Sequence, residues 1–325
     1  MIDRGFRGDH AWAEFALQLT DIIGLERALQ LITHVGQDGF GVFNPKWLPG
    51  FGLVPILAAL RSQLEANKLG DAARGDLRRW YWCNVFMERY SSAVESKSRK
   101  DYAEMTAYWF SGASEPTVFA EARDWIGAPG FRIRNSASYA SAVYSGVFCL
   151  LGLRGARDWR RREAIQLQEL QDHHIFPQAY LKRHGVSKKA DLNTIANRTL
   201  ISDETNGKIK DKSPATYIQD SDIFPAGPTN DLLEPHFINA EIRTMMNQAD
   251  EPLPNEQLAL LYERFIRARE QAIIHEIRHV CGIQLVESTV EVEAELEDEA
   301  APDVLETESS LEDELADLLA ESDRT

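Results

Sequence analysis

The sequence predicts a mainly α protein with a small embedded α+β unit and a disordered acidic C-terminal tail. Apolar residues recur at helical spacing through most of the chain. A central stretch breaks that period into short runs suited to strands. From Glu287 onward the chain is rich in carboxylates and poor in aromatics.

The boundaries that follow are a helical scaffold over residues 1–150, an α+β module over 151–220, C-terminal helices packing on it over 221–286, and a tail over 287–325. In the scaffold, Ala11 to Val35 places Phe15, Leu19, Ile22, Ile23, Leu29 and Ile32 on one helix face, with Asp9 as its cap. A Gly- and Pro-bearing link over Gly36 to Gly52 separates it from helices at Leu53 to Asn67, Gly75 to Glu88 and Arg99 to Phe110. Trp80, Trp82, Phe86 and Trp109 are their bulky core candidates. Ser136 to Leu151 repeats the pattern through Tyr139, Val143, Val147 and Leu150, and Gly152 ends it.

In the module, Ile165-Gln166-Leu167-Gln168 alternates as a strand running toward His173, and Asn197 to Ser202 reads as a second short strand. Asp203 or Thr205 then caps a helix holding Asn206 and Lys208. Asp231 to Gln248 and Asn255 to Val280 return to helix, the latter with Leu258, Leu261, Phe265, Ala272, Ile277 and Val280 on one face. A transient helix fits Ser310 to Leu319 in the tail.

The chain has 44% hydrophobic residues over 325 positions, enough to fill a core. Its longest apolar runs, such as Leu53 to Leu60 and Gly146 to Leu151, fall short of the roughly 20 residues a bilayer span needs. Met1-Ile2-Asp3-Arg4-Gly5 lacks the apolar core of a signal peptide, so no membrane partner and a cytoplasmic location are expected. Cys83, Cys149 and Cys281 are far apart, which argues against a disulfide framework or zinc ribbon and for burial as small apolar residues.

The net charge of −16 is concentrated at one end. Residues 287–325 hold 16 acidic side chains and one Arg, a net of −15, leaving −1 for residues 1–286. Residues 152–214 hold 13 Lys plus Arg against 8 Asp plus Glu, a net of +5. A local positive field of that kind suits phosphate binding. The tail is a solubilising segment first; as an internal mimic of a polyanion it would also suit the basic region.

Within that region stands Asp172-His173-His174-Ile175-Phe176-Pro177, followed by Asn197, Asn206 and Lys208. Adjacent strand residues point to opposite faces, so the two imidazoles divide their work. Hydrolysis of a phosphodiester needs a deprotonated water, charge stabilisation at phosphorus and help for the departing oxygen. The spacing assigns His174 as general base, with His173 and the Asn206 side-chain oxygen as ligands of one divalent ion, leaving coordination positions for phosphate and water. Asn197 is a brace that orients the loop after His174. Lys208 reaches phosphate, with Arg198 and Lys210 as further phosphate contacts and Arg160, Arg161 and Arg162 as a cluster that tracks the backbone. Bland alternatives stand beside these: Lys208 as a solvated lysine, the arginine run as a solvated turn, Trp80 and Trp82 as core. His275 and His279, four apart on a helix, lack a third ligand and read as surface or packing residues.

These residues resemble the HNH (ββα-metal) nuclease superfamily, through Asp-His-His-Ile-Phe-Pro, Asn197 with Thr199-Leu200-Ile201-Ser202, and Asn206-Gly207-Lys208 with Lys212-Ser213-Pro214-Ala215-Thr216-Tyr217. More narrowly, the pattern is similar to the C-terminal half of GmrSD-type restriction proteins. Arg79-Trp80-Tyr81-Trp82, Arg89-Tyr90-Ser91, Gly155-Ala156-Arg157-Asp158 and Phe265-x-x-x-Arg269-x-x-x-Ile273 carry that likeness up to about Gly282.

The resemblance implies a ββα-metal motif on the helical scaffold, in an endonuclease that cuts DNA, foreign or modified, in restriction or anti-phage defence. It implies Mg2+ or Mn2+, with Ni2+ or Zn2+ as further candidates, and a product with a 5′ phosphate. The connection from His174 to Asn197 is longer than in minimal members. The Asp-Gly-Gln-Gln-Arg motif of the family's NTP-dependent module does not occur. An NTPase partner on another chain would supply that module. The rival expectation is a non-catalytic DNA-binding or partner-binding subunit of a GmrSD-like system.

Overall fold

The computed structural model describes residues 22–36, 38–136, 140–161 and 169–284. Asp9, Phe15, Leu19, Tyr139, the strand expected at Ile165 to Gln168, Arg162 and the acidic tail lie outside them.

The scaffold is built from α1 (Ile22–Thr33), α2 (Leu53–Ala66), α3 (Asp71–Phe86), α4 (Val94–Ser111), α5 (Thr117–Ile126) and α6 (Ala142–Leu153). Helix α3 starts before Gly75, which it tolerates in its interior, and α6 starts at Ala142 because the Ser141 side chain caps the Tyr144 amide. Helix α5, absent from the sequence reading, begins directly after Pro116 and buries Val118, Phe119, Ala122 and Ile126.

The chain then forms β1 (Gln171–His174), α7 (Gln178–Arg183), α8 (Lys189–Asn193), β2 (Arg198–Ile201) and α9 (Asp203–Ile209). Strands β1 and β2 make a two-stranded antiparallel sheet. The second strand is shorter than predicted: Asn197 closes a 3-10 turn over Ile195–Asn197, and Ser202 caps α9 in place of Asp203 or Thr205.

Helices α10 (Pro214–Tyr217), α11 (Asn230–Leu233), α12 (Ala240–Gln248) and α13 (Asn255–Val280) complete the described chain. The single helix expected from Asp231 to Gln248 is broken in two. Pro235 permits only a 3-10 turn there, Phe237 takes a left-handed conformation at φ 57°, and Asn239 caps α12 by accepting from the Ile242 amide. The described residues belong to one contact unit, which extends to Leu285. Among them, no helix is long and apolar enough to cross a membrane.

Two apolar cores lie side by side. The first joins α1 to α6 around Trp47, Trp80, Tyr81, Trp82 and Phe148, with Trp47 stacked on Phe148 at 4.1 Å between centroids. Trp80, Trp82 and Phe86 are buried as expected, Trp109 packs partly buried at the margin, and all three cysteines are free and buried. The second gathers Trp159, Phe176, Tyr217, Phe224 and Met246. Helix α13 spans both, giving Leu258, Phe265 and Ile266 to the second core and Ile273, Ile274 and Ile277 to the first. Strand β2 does the same over two residues, with Leu200 in the first core and Ile201 in the second. The sheet therefore lies on the seam between the cores.

Candidate functional site at the seam

The antiparallel register sets His173 opposite Thr199 and His174 opposite Arg198. Side-chain alternation then puts Asp172, His174, Arg198 and Leu200 on one face, and Gln171, His173, Thr199 and Ile201 on the other.

On the first face His174 sits in a hydrogen-bonded group whose proton positions follow from its neighbours. Asn193 Oδ1 accepts from Gln178 Nε2 at 2.8 Å and from Arg198 Nη2 at 2.9 Å, while Asn193 Nδ2 donates to Lys189 O at 3.1 Å. That fixes the orientation of the Asn193 amide and makes Gln178 Nε2 a donor. Gln178 Nε2 also lies 3.0 Å from His174 Nε2, whereas Asn193 Oδ1 is farther from it at 3.3 Å. With the Asn193 oxygen already accepting two shorter bonds, Gln178 donates its second proton to His174 Nε2, and the ring proton resides on Nδ1. Burial, then the Arg198 charge, hold His174 down to about 4, so the imidazole is neutral at pH 7. Asp172 Oδ2 accepts from Tyr144 Oη at 2.8 Å and Arg198 Nη1 at 3.3 Å.

On the second face His173 Nε2 lies 3.1 Å from Asp203 Oδ1, at the first residue of α9. Burial lowers the His173 pKa and the Asp203 charge opposes it. Asn206 is half-buried on α9, three residues beyond Asp203, and its side chain makes no hydrogen bond among the described residues. Among the described residues no three or more His, Cys, Asp or Glu side chains form a metal cluster. The imidazole of His173 and the carboxylate of Asp203 meet here, and the Asn206 amide lies one turn further along α9; donors of these kinds suit Mg2+, Mn2+ or Ni2+.

Asn197 is fully buried and bridges the loop after β1. Its Oδ1 accepts from the Phe176 amide at 2.8 Å, and its Nδ2 donates to Phe176 O at 3.1 Å and Leu192 O at 3.4 Å. The turn presenting it is held from α13 by Arg269, also fully buried, which donates to Ile195 O, Ala196 O and His236 O. Burial pushes that guanidinium down to about 9, so it stays charged at pH 7. His236 links Thr199 Oγ1 at 2.6 Å to Arg157 O at 2.9 Å, and burial pushes it down to about 3.

Asp158 pins the start of α9. Its Oδ1 accepts from the Ser202 amide at 2.7 Å, and its Oδ2 accepts from Thr205 Oγ1 at 2.7 Å and the amides of Arg160 and Arg161.

The basic residues are already engaged. Arg160 pairs with Glu204 and donates through Nε to Asp222 O at 3.0 Å, and Arg161 reaches the other Glu204 oxygen at 2.5 Å. Lys208 Nζ stands 3.5 Å from Asp222 Oδ2. Arg198 bonds inward to Asp172 and Asn193, supporting the His174 group, whereas Lys210 is exposed at the end of α9. His275 and His279 lie on α13 away from this group.

Periodicity and spacing did not disclose Gln178, Asn193, Asp203, Asp158, Arg269 or His236. Gln178 directly follows the hexapeptide, and Asp158 and Arg269 fall in the flanking pieces Gly155-Ala156-Arg157-Asp158 and Phe265-x-x-x-Arg269-x-x-x-Ile273. Position beside a recognised motif was the available signal.

No family model matches the chain, and no solved structure matches it. An uncharacterized protein of Methanocaldococcus jannaschii is similar to it, with 28% identity over 286 residues. The match covers 85% of this chain and 47% of that protein, so the chain spans about half the length of the relative it matches.

Proposed function

We propose that the seam site is a metal-dependent nuclease centre of the HNH type that hydrolyses DNA phosphodiester bonds. The observation that supports this reading best is the order β1, β2, α9 with His173 and His174 ending the first strand, Asn197 bracing the loop after it, and Asn206 on the helix that follows.

His174 is the general base. It is neutral at working pH, and it takes a proton from water once Gln178 yields the Nε2 lone pair. Asn197 keeps the Ile175-Phe176 backbone, and with it the imidazole, in one orientation. Asp172 and Asn193 hold Arg198 beside the base, where its charge disfavours the imidazolium before a substrate arrives. His173 and Asn206 would hold a divalent ion, which neutralises charge on the phosphate and on the departing 3′ oxygen when bound. Lys208, Arg160 and Arg161 reach backbone phosphates when DNA displaces their carboxylate partners, and the exposed Lys210 reaches them directly. Restriction or defence against foreign DNA is the setting that the resemblance supports.

Supercoiled plasmid incubated with the purified chain and Mg2+, Mn2+ or Ni2+ tests the reading. Nicking that requires metal and disappears with His174→Ala is the expected result. Absence of nicking with all three ions, alongside retained DNA binding, would favour the non-catalytic alternative.

A further inference from the structure

We propose that Asp203 is a metal-binding side chain of this site, completing a three-donor set with His173 and Asn206. The inference rests on the metal-dependent reading above and adds a donor to it.

The geometry comes first. Two donor atoms bound to one ion at about 2.1 Å, at octahedral or tetrahedral angles, lie about 3.0 to 3.4 Å from each other. His173 Nε2 and Asp203 Oδ1 are 3.1 Å apart, the separation of two ligands along one edge of a coordination polyhedron. The Asp203 side chain is 82% exposed and makes no other hydrogen bond or ion pair among the described residues, so its oxygens are open to an ion.

Position on the helix comes second. Asp203 and Asn206 are three residues apart on α9, a spacing that puts them on one helix face. The turn that carries them is anchored by the Ser202 cap and by Asp158, so both donors sit on a fixed segment, and Asp203 meets His173 from it. Charge comes third. An imidazole and an amide are both neutral and bind a divalent ion weakly; one carboxylate supplies the charge they lack and still leaves positions open for substrate.

The competing account is that Asp203 only accepts a proton from His173 and orients the ring. A residue of that kind also weakens metal binding when removed, so affinity alone does not separate the two. Replacement by a thiol does. Asp203→Cys places a soft ligand at the same point, and its cadmium complex shows an ultraviolet thiolate-to-metal charge-transfer band only when sulfur touches the ion. The native cysteines are buried, and wild-type protein provides the baseline.

The experiment combines calorimetric Mn2+ titration of wild type, His173→Ala, Asn206→Ala and Asp203→Asn with Cd2+ absorption of Asp203→Cys. The expected result is one Mn2+ bound by wild type, loss of binding in the His173 and Asn206 variants, and at least about 10-fold weaker binding in Asp203→Asn. A charge-transfer band is expected in Asp203→Cys that vanishes when His173→Ala is added. Mn2+ binding that needs His173 and Asn206, with no cadmium band, overturns the Asp203 assignment and leaves the metal site standing. No Mn2+ binding by wild type overturns the underlying reading and this inference with it.

Discussion

Asn197, Asp158, Arg269 and His236 are fully buried, and every side-chain nitrogen and oxygen among them has a partner. Across the sheet, Asp203 meets only His173 through Oδ1, and its Oδ2 and the Asn206 amide oxygen have no hydrogen-bond partner among the described residues. Saturation is what a buried polar group requires, because an unmet donor or acceptor there costs about 1 to 3 kcal/mol. Unused donors are what ligand chemistry requires. The buried set thus fixes geometry, and in the proposed nuclease reading the open set binds the ion, so damage to each should have a different signature.

The sharpest way to break that contrast is Asp158→Ala. It strands four donors around the start of α9, and a loss of about 3 to 5 kcal/mol in urea unfolding is expected, with Mn2+ affinity falling alongside. A loss below about 1 kcal/mol would show that the α9 anchor is not where its stability resides. Asn197→Ala comes next, at about 2 to 4 kcal/mol, since it strands both Phe176 backbone groups.

The proposed base, although hydrogen-bonded to Gln178, should behave oppositely to the buried set. His174→Ala is expected to reduce nicking at least about 100-fold, while the thermal midpoint moves by no more than about 3 °C. A large drop in midpoint would move His174 into the structural set.

Acid gives a smaller, graded test. His174 and His236 are depressed to about 4 and about 3 in the folded protein, against 6.5 when unperturbed. Between those values the unfolded chain binds more protons, so stability rises with pH there and is lost as pH falls from about 6.5 toward 4 and 3. The thermal midpoint at pH 5 should lie below that at pH 7. Nicking under saturating metal should persist at pH 5.5, where an unperturbed histidine would be mostly protonated. A midpoint independent of pH across this window would contradict the burial argument.

The smallest effect expected is at Glu204, whose carboxylate holds both Arg160 and Arg161 at a half-exposed position. Glu204→Gln frees the pair, and DNA affinity should rise about 3- to 10-fold at low salt and converge with wild type at high salt. Unchanged affinity at both salts would remove Arg160 and Arg161 from the DNA-binding surface.

Helices were legible where apolar residues kept their period over many turns. Asn255 to Val280, bounded by Pro254 before it and Gly282 after it, agrees with α13 at both ends. The break at Pro235 is hidden in the sequence by apolar residues that continue on either side of it. Strand β1 carries no such pattern: Gln171, Asp172, His173 and His174 are all polar and all half-buried, so alternation points to the stretch before it, outside the described residues, and the pairing with β2 sets the observed bounds. The motif histidines and asparagines stand out as a set through their order after Ile-Phe-Pro, which resembles the HNH pattern, and their roles rest on the proposed reading. Gln178, Asp158 and Arg269 do not stand out, because each acts through a contact with backbone or side chains of another element, and no local period records that. Asp203 reads as a helix cap from sequence, but Ser202 takes that position and Asp203 stands 3.1 Å from His173.

The most direct measurement is conversion of supercoiled plasmid to nicked and linear forms by the purified chain with Mn2+, followed by end analysis of the product. The account predicts metal-dependent nicking with 5′ phosphate ends, lost in His174→Ala while that variant keeps its thermal midpoint and its Mn2+ binding. Nicking that survives in a folded His174→Ala protein, or no nicking by wild type that has Mn2+ bound, would contradict it.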